Sequence, residues 1–248
     1  MSLLLLVFLS GCDMGVNSKK ITSIKSVRDI EDIKRIGVLT TVTDFNSTNY
    51  FIYKGEPMGY QFDMLQAFAQ HIGVKLELIA ENNLDEAFQM LENGEVDIFA
   101  NNLTITAKRK ESFLFTLPHS TTRQVLVQKK GVDYNPIRNL IDLGDKIVYV
   151  QKGSVSVQRL KNLAEENGTQ VIVVEMPKYE ADELIELVAN GEIDFTVCDE
   201  DVARVNSFYF DNIDIDTPVS FDQNLAWAVN KNSTGLQVAL NKWIESFA

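Results

Sequence analysis

The chain has 248 residues, 45% hydrophobic and 23% charged, which is enough for one large domain or two modest lobes with a substantial core. A net charge of −12, with no Lys/Arg cluster larger than Lys108–Lys110, excludes a nucleic-acid partner and suits a small ligand or a cationic one.

Residues 3–9, L-L-L-L-V-F-L, form an apolar run too short to span a bilayer and of signal-peptide length. It ends in Leu9-Ser10-Gly11-Cys12, which resembles the bacterial lipoprotein signal, although no Lys or Arg precedes the apolar run. Residues 1–12 are expected to be that signal, with Cys12 lipidated, and 13–32 a polar tether that enters the domain through a short helix. The first lobe is expected over 33–123. Residues 35–43, R-I-G-V-L-T-T-V-T, read as its first strand, and 44–53 as a loop of aromatic and polar residues that includes Phe45 and Tyr50. Gly55, Pro57 and Gly59 mark a turn. Residues 60–72 form a helix with Met64, Leu65, Phe68, Ala69 and Ile72 on one face, and Gly73 stops it. A strand over 74–80 completes a β-α-β unit, which implies a parallel pair.

Next comes V-D-I-F-A-N-N-L-T-I-T-A-K-R over 96–109. Its first half reads as a buried strand that stops at Asn101-Asn102; a Thr-rich turn follows, with Thr106 as N-cap of a basic helix start carrying Arg109. A strand end that feeds a helix is where open α/β sheets hold ligands, and hydroxyls beside one guanidinium suit a carboxylate. The chain also repeats itself. L-D-E-A-F-Q-M-L-E-N-G-E-V-D-I-F over 84–99 is echoed by A-D-E-L-I-E-L-V-A-N-G-E-I-D-F-T over 181–196. Each reads as an acidic amphipathic helix, an Asn-Gly stop and a strand, so two lobes on one plan are expected. The second copy ends at Asp199, an acid where the first leads to Arg109. A cation from one lobe and an anion from the other would clamp a zwitterion.

The second lobe is expected over 124–230. Residues 124–128 and 226–229 read as two crossing strands that hinge the lobes. Between them lie a strand over 145–150, the turn Gln151-Lys152-Gly153-Ser154, a helix from about 155 and a strand over 170–175. A final amphipathic helix within 231–248 is expected to pack back on the first lobe. Cys198 reads as a small core residue, and His71 and His119 as structural.

From about Ile36 to Phe247 the chain resembles the type 2 periplasmic solute-binding proteins, in their amino-acid-binding branch. The resemblance rests on G-Y-Q-F-D-M over 59–64, on L-T-I-T-A-K-R over 103–109 with F-L-F-T-L-P over 113–118, on Q-K-G-S over 151–154, and on Asp194 and Cys198-Asp199. Asn82-Asn83-Leu84-Asp85, the L-T-I-T segment and the ending are most similar to the N-terminal sensor domains of membrane-bound lytic murein transglycosylases. The resemblance implies an α/β fold of two lobes, each a mostly parallel sheet flanked by helices, joined by two hinge strands. It implies that Arg109, Thr104 and the main chain at Asn102 hold a ligand carboxylate, that Ser154 donates to it, and that Asp199 accepts the α-ammonium. It implies an aromatic wall from the first loop, for which Phe45, Tyr50 or Tyr53 could serve. Asn101-Asn102 and Pro118-His119 depart from the family pattern.

No P-loop, G-x-G-x-x-G, H-E-x-x-H or nucleophile elbow is present. Catalysis, a metal and a cofactor are therefore not expected. The expected protein is a monomeric, lipid-anchored, envelope solute-binding protein that closes on an amino acid or small peptide and serves a transporter permease or a cell-wall enzyme. The alternatives are a sensor module of a lytic transglycosylase and, less favoured, a dehydratase-like enzyme on the same fold.

Overall fold

A computed structural model describes residues 26–132 and 134–246; the expected signal and its Cys12 lie outside them. The chain enters through helix α1 (Ile30–Ile36), which is capped by Asp29 and ends on Gly37 in the left-handed conformation. Arg28 already belongs to this lobe, because its Nε donates to the buried Asp97 at 2.8 Å. The lobe therefore begins at least five residues before the expected 33. The reason is electrostatic: Asp97 is 3% exposed and needs a cation.

The remaining elements are β1 (Val38–Thr43), β2 (Phe51–Tyr53), β3 (Glu56–Met58), α2 (Tyr60–Ile72), β4 (Lys75–Ala80), α3 (Leu84–Glu92), β5 (Ile98–Thr104), α4 (Ala107–Ser112), β6 (Phe113–Phe115) and β7 (Ser120–Thr122). After them come β8 (Gln124–Lys129), a 3-10 turn (Leu140–Leu143), β9 (Ile147–Gln151), α5 (Val155–Asn167), β10 (Ile172–Met176), α6 (Ala181–Asn190), β11 (Phe195–Asp199), α7 (Glu200–Asn206) and β12 (Ile213–Pro218). The chain then finishes with β13 (Gln223–Asn230) and α8 (Thr234–Glu245). The expected helix over 60–72 and the parallel pairing of β1 with β4 are both observed.

Two sheets form. The first has the order β4-β1-β5-β13-β6, with β7 also paired to β13; the second has the order β10-β9-β11-β8-β12. Both are mixed, with parallel strands at one side and antiparallel strands at the other. Each sheet is apolar on both faces. Leu39, Ile98 and Trp227 pack against α1, α2 and α8 on one face of the first, while Phe99 and Ala228 pack against α3 on the other. In the second sheet Val125 and Val127 face α6 and α7, while Leu126 and Val150 face α5. Strands sandwiched in this way read as continuous apolar runs.

That burial explains one correction. β8 and β13 are central strands of the second and first sheets, not crossing strands. An apolar run says that a strand is buried but not in which sheet. The chain instead crosses at Arg123, between β7 and β8, and returns through 219–222, between β12 and β13. The second lobe therefore ends near residue 222 rather than 230, and β13 belongs to the first.

Gly59 joins β3 to α2 at φ +132, and a Cβ there would lie 2.3 Å from the Asn49 carbonyl oxygen. That same carbonyl accepts from the Gln61 and Phe62 N–H groups at the start of α2. Gly59→Ala is expected to lower stability by about 3 kcal/mol, through backbone strain plus the clash. Urea unfolding checks this, and an unchanged midpoint would contradict it.

Candidate functional site

The ends of the parallel strands meet across the gap between the two sheets. Asp44 follows the end of β1 and β5 ends in the Asn101-Asn102 segment and Thr104; β9 ends at Gln151 and β11 at Asp199. These are the carboxyl ends of parallel strands, where α/β sheets bind ligands. Together with Arg109, Gln124, Ser154 and Glu180 they line a cavity of about 90 Å³. A buried cavity that holds benzene is about 150 Å³, so a larger solute enters only when the lobes part.

Arg109 is placed by its own turn. Thr106 Oγ1 accepts from the Arg109 N–H at 3.2 Å, which caps α4 as expected. Its Nη1 donates to the Thr104 carbonyl at 3.1 Å, and the guanidinium lies 5.0 Å over the Phe88 ring. Among the described residues no carboxylate comes within ion-pair distance of it. Burial pushes its pKa down to about 10, with Asp199 partly opposing the shift.

The rest of the lining is acidic, with Asp44 from the first lobe and Asp199 and Glu180 from the second. Asp199 carries a pKa raised to about 7, first by burial and then by Asp201, with Arg109 opposing. Burial raises Asp44 to about 6, although Asn49 Nδ2 donates to its Oδ1 at 2.8 Å and Asn46 Nδ2 to its Oδ2 at 2.7 Å. Burial and the neighbouring charge of Asp44 raise Glu180 to about 8, although Gln151 Nε2 lies 2.8 Å from both of its oxygens. Ser154 sits at the start of α5 with its buried Oγ unpartnered among the described residues.

The structure thus brings together Asn102, Thr104, Arg109, Ser154 and Asp199. Two of them are already engaged. Thr104 Oγ1 donates to Gln223 Oε1, and the Asn102 N–H donates to Asn101 Oδ1. Phe45 and Tyr50 do not line the cavity: they pack edge to face at 5.8 Å, and Tyr50 also packs on Phe62. Asp44, Asn46 and Asn49 take the place of an aromatic wall. Sequence reasoning missed Asp44, Asn49, Gln124, Gln151 and Glu180. A signal existed for Asp44, which follows β1 as Asp199 ends β11.

Direct contacts hold the lobes together. Asn102 Nδ2 donates to Asp201 Oδ2, the Ser47 N–H to Asp182 Oδ2 at 2.9 Å, and Lys152 Nζ pairs with Asp85 at 3.3 Å. Cys198 is buried in β11, as expected of a core residue. Among the described residues no group of three or more His, Cys, Asp or Glu could hold a metal ion.

A family model described as bacterial extracellular solute-binding proteins, family 3, matches residues 37–248. Membrane-bound lytic murein transglycosylase F of Desulfosudis oleivorans is 34% identical over 221 residues, covering 89% of this chain and 48% of that protein. The chain thus spans about half the length of the curated relatives it matches. Among solved structures, an amino acid ABC transporter substrate-binding protein of Streptococcus pneumoniae bound to L-arginine superposes with a TM-score of 0.76 at 25% identity. It covers 88% of this chain and 91% of that one. An ancestral amino-acid-binding protein, a precursor of cyclohexadienyl dehydratase, gives 0.76 at 26% identity, covering 88% and 92%.

The cleft acids set a pH dependence. Their folded pKa values, about 6, 7 and 8, exceed the unfolded values near 4, so the stability they allow is complete below pH ~4 and is lost as pH rises through the folded values. His119 acts in the opposite sense: burial depresses it to about 4, so it adds stability as pH rises from 4 to 6.5 and nothing above. From pH 6.5 to 8.5 the acids dominate, and the ligand-free protein is expected to lose about 3 kcal/mol. Thermal melts should show this fall, and Glu180→Gln should flatten it. A melting temperature that rises across this range would contradict the assignment.

Proposed function

We propose that the cleft captures an amino acid or small peptide by its zwitterionic backbone, because the chain belongs to the bacterial extracellular solute-binding proteins, family 3, and sets one half-buried cation among acids from both lobes. The observation that carries the reading is Arg109, a half-buried guanidinium whose partners among the described residues are a carbonyl and a ring. A ligand carboxylate supplies the missing counter-charge, and Ser154, whose hydroxyl has no partner among the described residues, donates to the same group. Asp199 takes the α-ammonium, which returns its carboxyl to the charged form. Capture proceeds by closure: the ligand enters between parted lobes and favours the closed arrangement by binding it more tightly. The amino-acid ligands of the similar solved structures support this class.

Capture of this kind serves transport or sensing. In the transport reading the protein is monomeric, anchored in the cell envelope through lipidated Cys12, and presents its closed form to a permease. The likeness to lytic transglycosylase F favours a second reading, in which the same closure regulates a cell-wall enzyme. Binding of cell-wall stem peptides in preference to free amino acids would favour that second role. A dehydratase-like reaction is disfavoured by Asp199, since a cyclic acid without an amine gives that carboxylate no partner.

Arg109→Ala tests the clamp. It removes a half-buried cation that has no counter-ion among the described residues, so the fold should be retained. Affinity for any zwitterion should fall by at least about a hundredfold. Thermal shift against an amino-acid and peptide panel measures both quantities, because a ligand that binds only the native state raises its melting temperature. Unchanged affinity would overturn the assignment.

A further inference from the structure

Two acids of the second lobe reach across the cleft and accept from neutral donors of the first. Asp201, in the first turn of α7, accepts from Asn102 Nδ2 through Oδ2 at 3.2 Å and from Thr122 Oγ1 through Oδ1 at 3.3 Å. Asn102 lies in β5 and Thr122 in β7, so both donors belong to the first sheet. Asp182, near the start of α6, accepts the Ser47 N–H through Oδ2 at 2.9 Å.

Helix position alone does not produce these bonds. An acid in a first turn ordinarily serves its own helix, facing the free N–H groups and the positive end of the dipole. Asp201 instead turns both oxygens to the other lobe. Asp182 is oriented from behind, because Asn206 Nδ2 in α7 donates to its Oδ1 at 2.9 Å. Asn206 is 6% exposed, and Ile185 and Val188 of α6 pack with Val202 and Ala203 of α7. The two acids therefore sit on one packed unit. On the facing side the Ser47 hydroxyl is buried as well.

Neither acid lines the cavity, whose acids are Asp44, Glu180 and Asp199. The lobes make these bonds with each other, so they favour closure whether or not a solute fills the cleft. Hydrogen bonds that end on a charged oxygen are stronger than neutral ones. They oppose the cost of bringing Arg109 and three acids into one cavity.

We infer that Asp201 is a positioning residue that, with Asp182, latches the lobes independently of any solute, so that the closed arrangement predominates before capture. The inference rests on the two-lobe fold and not on the identity of the ligand. A closed-state binder loses affinity in proportion to the fraction of protein that is open, so a latched protein binds more tightly.

Amide hydrogen exchange, followed by NMR on the purified protein after exhaustive dialysis, tests the latch. The Ser47 N–H bonds across the cleft, so its protection reads the ratio of closed to open protein. Protection of at least about tenfold is expected for the unaltered chain. Asp201→Ala should lower it at least about fivefold, while amides inside β1 keep theirs. Asp201→Asn retains one acceptor oxygen and should fall between the two. An unprotected Ser47 in the unaltered protein, or protection that Asp201→Ala leaves unchanged, would overturn the latch. If Asp201→Ala does not fold, Thr122→Val removes one donor at nearly the same shape. It should lower Ser47 protection at least about twofold, and no change would overturn the latch as well. Capture itself is tested by Arg109→Ala, so failure of either reading leaves the other standing.

Discussion

A half-buried guanidinium between two lobes, with no carboxylate within ion-pair distance among the described residues, is the constraint on which this structure turns. Taking such a charge out of water costs several kcal/mol, and one carbonyl with one aromatic face offsets only part of that. Arg109 is held there by the turn that follows β5, through Thr104 and Thr106, so the local fold fixes the charge where no counter-ion waits among the described residues. Asp199 of the other lobe lies close enough to feel it but does not pair with it. Both walls are thus destabilised by the same closure that brings them together. An incoming zwitterion relieves both, and the closed state gains most.

The architecture that permits this is a repeated one. In each lobe a capped helix, a left-handed glycine and a buried strand lead to the cleft: α3, Gly94 and β5 in one, α6, Gly191 and β11 in the other. The polar chain behind the site runs through both lobes. Trp227 Nε1 donates to Gln61 Oε1, Gln61 Nε2 to Asn102 Oδ1 at 2.8 Å, and Asn102 Nδ2 to Asp201 Oδ2 at 3.2 Å. Thr122, beside the crossing point, donates to the other oxygen of Asp201. A core tryptophan, the end of β5, a helix of the second lobe and the hinge are therefore linked by one series of hydrogen bonds. Motion of one lobe must break the link at Asp201, which places the cost of opening at the cleft itself.

Much of this was legible in the sequence where the signal is local. The α2 helix follows from its apolar period, the Thr106 cap from its type and spacing, and the two-lobe plan from the repeat. What stayed hidden depends on contacts between distant segments. The apolar runs of β8 and β13 announced burial but not partners, so they read as crossings when each lies inside a sheet. Phe45 and Tyr50 looked like a wall because aromatics often line such loops; here they satisfy one another, and the amides of Asn46 and Asn49 turn inward to hold Asp44. Glu180 could not be picked out among 35 acidic residues, because its environment is made by Gln151, Asp44 and the start of α6, which only the fold assembles.

The measurement that bears most directly on the account is native mass spectrometry of the purified protein after incubation with a mixture of amino acids and short peptides. The account predicts one small molecule bound per chain, released on denaturation, and identifiable as a species with a free carboxylate and a free amine. A protein that carries no adduct from any zwitterion, while remaining folded, would contradict it.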